Sequence, residues 1–167
     1  MFGSRRKRIE AQVVENTRPL VSIVQHNLGL PADFWADEWV LGFFGLMISH
    51  HIGVCGGSRI SQSDKGVILA NAFQALSNMN GHELARRFTD LVTANPKRID
   101  FEEGGDDAAT IAFASIGKAT PKTAPHVEQA KLKLQESGHP VNPATVTEVL
   151  LEQLYLVRIA ERFGIEI

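Results

Sequence analysis

A single cysteine, Cys55, is the whole thiol content of this chain. No disulfide can form within it, and a reducing, cytoplasmic compartment is the expectation. Long apolar runs are also missing. The longest, Val40–Ile48, has nine residues, against about 20 needed to cross a bilayer core. Extending it meets Asp37 and Glu38 on one side and His50–His51 on the other, so no membrane partner is expected. An excess of either charge is absent too. With a net charge of −2 the chain has no global attraction to nucleic acid or to an anionic surface. The bases Arg5, Arg6, Lys7 and Arg8 are followed by no apolar stretch, so no secretory signal is expected. Phe2 replaces the glycine of a myristoylation site, and the terminal GIEI has no cysteine to prenylate.

Catalytic signatures are equally scarce. There is no GxSxG elbow, P-loop, GxGxxG after a strand, HExxH or CxxC, and with them go the common motif-based enzyme assignments. What remains is an ordinary globular composition, 44% hydrophobic and 22% charged in 167 residues. A chain of this length fits one domain and buries about 70% of its unfolded surface without metal or disulfides.

The most informative stretch is 33–55, DFWADEWVLGFFGLMISHHIGVC. Its middle is apolar on every side, the mark of a buried helix. Gly42, Gly45, Ser49 and Gly53 fall three or four apart, which bares one side for the close approach of another helix. Pro31 and Asp33 read as the start of this helix, and Gly56–Gly57 as its end.

Helical spacing of Ile9, Val13, Leu20, Val24 and Leu28 marks residues 5–28, with Pro19 either kinking one helix or sitting in the first turn of a second one capped by Thr17. Residues 1–8 read as a frayed basic end. Ser61 and Asp64 frame a capping box for a helix over 62–79, and Asn80-Gly81 a turn into a helix over 81–94. The stretch 96–107, PKRIDFEEGGDD, lacks periodicity and reads as a mobile loop open to proteases. Residues 108–117 fit either a short helix or a strand, and helix is preferred because no second strand exists for pairing. Further helices are expected over 124–137 and from Asn142-Pro143 to Phe163, the latter closed by Gly164 and Ile165 in a Schellman pattern. The sum is an all-α, single-domain bundle of six to seven helices around a buried central helix.

Three groups invite chemistry. His51 and Cys55, four apart, share a helix face with His50 beside them, a spacing that lets side chains reach one metal or a haem, although the remaining ligands must come from elsewhere in the fold. Asp100, Glu102, Glu103, Asp106 and Asp107 do not match a calcium loop and read as solvated. The Arg5–Arg8 arm and the Arg86–Arg87 doublet lack the aromatics and turn signature of a nucleic-acid module, so nucleic acid is not an expected partner. The helix–glycine–Ile-Ser-Gln-Ser-Asp–helix passage at 52–68 is similar in outline to the turn of tellurite-resistance TerB-like helical domains. It carries Gly56–Gly57 where those domains have an acid, covers less than a fifth of the chain, and assigns no family.

The functional expectation is a non-catalytic protein acting by association, as a homodimer or with another protein, and without a cofactor. Trp35, Trp39, Phe43, Gly45, Leu46 and Ser49 are the expected contact residues, because aromatics are enriched at interface cores. The dimer is expected to bury on the order of 1,600 Å² around 33–55 or 143–163, where Leu151, Tyr155 and Ile159 widen the apolar face. The alternative is a small-ligand, metal or haem site at His50, His51 and Cys55.

Overall fold

The computed structural model describes residues 2–166, with side chains from Arg5 onward. Helix accounts for 78% of the chain, and no strand occurs among the described residues. The seven helices are, in order, α1 Phe2–Asn27, α2 Glu38–Gly56, α3 Gln62–Ser77, α4 Gly81–Val92, α5 Ile99–Ser115, α6 Ala124–Glu136 and α7. The last comprises Pro143–Leu151, a π-helical turn Glu152–Leu156, and Val157–Phe163. Contacts divide the chain into two compact units, one ending at Gly105 and one beginning at Asp106. The boundary falls inside α5, where the sequence has no linker composition to mark it.

In the first unit α2 is the middle helix. It packs on α1, α3 and α4, while α3 and α4 form a tight pair. Eleven of its residues are buried. Its start differs from the sequence reading. Phe34–Ala36 form a separate 3₁₀ turn, and Asp37, in extended conformation, caps the helix by accepting from the Val40 N–H at 3.0 Å. The cap satisfies an amide that the first helical turn leaves bare, and that places the break after Ala36.

Helix α1 is unbroken, so neither a second start at Thr17 nor a frayed segment at 2–8 is found. Thr17 is fully buried, and its hydroxyl donates to the Val13 carbonyl. Ile9, Val13, Leu20 and Val24 hold one buried face across Pro19, which lies on the exposed side. Packing along that face outweighs the backbone bond that proline removes. The basic end is tied down by Arg5, donating to the Gly56 carbonyl at 3.2 Å, and by the Arg6–Asp64 pair at 3.5 Å.

The larger correction concerns 96–107. Residues from Ile99 onward are the first turns of α5, not a loop. Phe101, Gly104, Ala108 and Ile111 form its buried stripe. A glycine holds one place in that stripe, so a count of apolar side chains misses the period. Ser61, Asn80 and Asn142 cap their helices as the sequence implies, and residues 108–115 are helical.

In the second unit α6 packs on the first part of α7. The π turn inserts one extra residue into the helix, rotating the later residues by about 100°. Val146, Val149 and Leu150 before it, Tyr155 within it and Ile159 after it are consequently all buried, although they do not lie on one stripe of a regular helix. Gly164 adopts φ +63°, and the Ile165 N–H bonds the Ala160 carbonyl at 2.8 Å, completing the Schellman end.

Candidate functional site

The His50, His51 and Cys55 end of α2 faces α1. His51 Nδ1 lies 3.0 Å from Thr17 Oγ1. Because that hydroxyl gives its proton to Val13, its oxygen is free to accept from Nδ1–H. The imidazole thus closes a part-buried three-member chain from α2 to the α1 backbone. Burial, reinforced by His50, lowers the His51 pKa from the ordinary 6.5. The His50 and His51 rings are 5.7 Å apart and tilted. Cys55 Sγ receives Asn16 Nδ2 at 3.9 Å, and burial raises its pKa, keeping it a thiol rather than the thiolate that nucleophilic chemistry needs. Among the described residues no three His, Cys, Asp or Glu side chains converge on a common point. The structure therefore brings His51 to Thr17 and Cys55 to Asn16, and gathers no further ligand around them.

This arrangement sets a pH dependence. The folded state holds His51 neutral more strongly than the unfolded chain does. As pH falls below about 6.5 the unfolded chain takes up the proton first, so the His51 contribution is full above that pH and is lost as pH falls toward the lowered folded value. Urea unfolding at pH 7.5 and 5.0 should show a stability loss that is smaller in His51→Gln. An identical pH profile in the variant would contradict it.

The expected interface residues take other positions. Trp35, Trp39 and Phe43 are no more than 4% exposed. They belong to an aromatic cluster in which Trp35 meets Phe44 at 4.8 Å and Trp39 stacks on Phe43 at 5.1 Å. Gly45 is buried beneath the Phe88 ring of α4, where a Cβ would collide. Leu46 is half-buried, and only Ser49 is exposed. The expected centre of association is thus the core of the first unit, and Tyr155 and Ile159 of α7 are also covered. Helix α2 with its short extension, Glu38–Arg59, is long and apolar enough by composition to cross a membrane, and more than half of its most apolar stretch is buried inside the fold. Mean hydropathy averages across Ser49, His50 and His51, whereas a count of consecutive apolar residues stops at Ile48.

Three of the five acidic residues have ionic partners within the chain. Glu102 pairs with Lys97, Asp106 with Lys122 and Asp107 with Arg158. Of the Arg86–Arg87 doublet, Arg86 pairs with Asp90 and Arg87 donates to the Ala36 carbonyl at 2.6 Å.

One surface escaped the sequence reading. The outer side of α1 carries a shallow hollow in which Ala11, Val14, Pro19 and Ser22 are flanked by the charged Lys7, Glu10, Glu15 and Arg18, Glu10 being held by Asn71 at 2.8 Å. Its floor is small and apolar. Among the described residues Glu15 has no ionic partner, and Arg18 meets no carboxylate, its one bond going to the Ala75 carbonyl at 3.2 Å. The spacing of 11, 15, 18 and 22 is legible as a helical stripe, but it contains no large apolar residue and so reads as solvated. Compared with protein-family models, with curated proteins and with solved structures, the chain matches none.

Proposed function

We propose that the protein acts by association with a second copy of itself through the outer face of α1. The observation behind this reading is the pair Glu15 and Arg18, opposite charges on the rim of an apolar-floored hollow, neither paired with an opposite charge in the single chain. An antiparallel copy related by a two-fold axis between Asn16 and Thr17 sets each Glu15 level with Arg18 of the other copy, and Ala11 with Ser22. The pattern is self-complementary, as a symmetric dimer requires. Small residues along the stripe permit close approach, and the Arg18 and Lys7 stems cover apolar floor while keeping their charge wet. Helix α2 supports this face from beneath instead of forming it.

Sedimentation at micromolar concentration should give twice 18.3 kDa. Glu15→Arg places like charges together at both symmetric positions, and dimer affinity should fall at least tenfold, a change worth about 1.4 kcal/mol. The double variant Glu15→Arg, Arg18→Glu restores the opposite pairing and should recover it. A monomeric wild type, or a dimer indifferent to the single reversal, contradicts the proposal.

A further inference from the structure

The second unit holds a pocket of about 190 Å³ between the end of α5, α6 and the start of α7. Its walls are apolar: Ala114, Val127, Pro143 and Val146, with Val127 and Val146 at most 5% exposed. Two lysines, Lys118 and Lys131, also line it. They are not equivalent. Lys131 is bound to Glu128 at 2.7 Å, whereas Lys118 has no carboxylate partner among the described residues. No acidic side chain lines the pocket. An apolar hollow with a single unneutralised ammonium is the arrangement that holds an apolar body and fixes its orientation by one polar group.

From these features we infer that this pocket binds a small apolar monocarboxylate, with its hydrocarbon part against Val127 and Val146 and its carboxylate on Lys118. The volume sets the size. A dry cavity of about 150 Å³ accommodates one benzene ring, so 190 Å³ takes a single ring or a short acyl chain with its carboxylate at the mouth, and no cofactor-sized molecule. Charge selects the headgroup, because an ammonium donating to a carboxylate makes a stronger bond than one donating to a neutral hydroxyl. The pocket's lining includes none of His50, His51 and Cys55, and its binding does not depend on the α1 dimer.

The first measurement is a titration of the full chain with benzoate and, in parallel, with benzyl alcohol, followed through the Val127 and Val146 methyl NMR signals. Benzoate should shift these signals saturably in the millimolar range or below, and bind at least tenfold tighter than benzyl alcohol. Lys118→Gln, at an exposed position where folding is not at risk, should remove that preference while leaving the alcohol unaffected. Val146→Phe fills the pocket and should abolish the Val127 shift with either ligand. If the larger ring disturbs folding, Ala119→Trp at the exposed rim serves the same purpose. Absence of saturable shifts, equal binding of acid and alcohol, or a preference that survives Lys118→Gln would each overturn the assignment.

Discussion

Gly42→Ala and Gly104→Ala should each destabilise the protein by about 3 kcal/mol, an unusually large effect for one methyl group. The two glycines mark a place where α2 and the first turns of α5 touch backbone to backbone. A Cβ on Gly42 would strike the Phe101 carbonyl, and one on Gly104 would strike the Trp39 carbonyl. Neither obstacle is the flexible end of a side chain, so relief requires the helices to move apart and surrender contacts along their length. Gly45 differs in kind, because its obstacle is the Phe88 ring. A ring can turn, so Gly45→Ala should cost less than either backbone clash, while Gly45→Leu adds volume that turning cannot absorb. Gly66 is the control: mid-helix in α3 and exposed, with no atom within 4 Å of a Cβ. Gly66→Ala should raise stability by roughly 0.5–1 kcal/mol through helix propensity alone. Chemical denaturation of the four alanine and leucine variants with this control decides the matter. A neutral Gly42→Ala would mean that the Gly42 and Phe101 backbones do not touch at the α2–α5 crossing.

Trp39→Ala should lose about 3–5 kcal/mol, the range for truncating a buried aromatic. Trp39 is 1% exposed and stacks on Phe43. The concentration dependence of the loss is as informative as its size. A core residue of one chain is missed equally at any protein concentration, whereas an interface residue is missed in proportion to the dimer that its loss dissolves. Unfolding of Trp39→Ala at about 1 and about 100 μM should give the same difference from wild type measured at the same concentration. A gap that widens with concentration would return this tryptophan to an intermolecular surface.

The division between core and surface is where the sequence reaches its limit. Residue order is enough for the all-α class, the caps at Ser61, Asn80 and Asn142, the Schellman end at Gly164 and the burial of the 40–48 segment. These are local matters, settled by side-chain oxygens within three residues of an amide, by one residue's freedom to take positive φ, or by the absence of any polar face. Which other residues cover a buried helix stays open at that level. Trp35, Trp39 and Phe43 suit a subunit interface and a core equally, because both remove the same apolar surface from water.

Three further points depend on packing. Glycines at 42 and 104 work as a contact surface only when two distant helices are brought together, so Gly104–Gly105 reads locally as a break among acids, and the start of α5 reads as a loop. The π turn at Glu152–Leu156 rephases α7, and a regular period of 3.6 therefore leaves Tyr155 and Ile159 off the buried stripe when both are covered. His51 and Cys55 keep their four-residue spacing in α2, but α1 supplies Thr17 and Asn16 opposite them instead of further ligands. Spacing along one helix fixes which side chains share a face. What that face meets is set by packing between segments far apart in the chain.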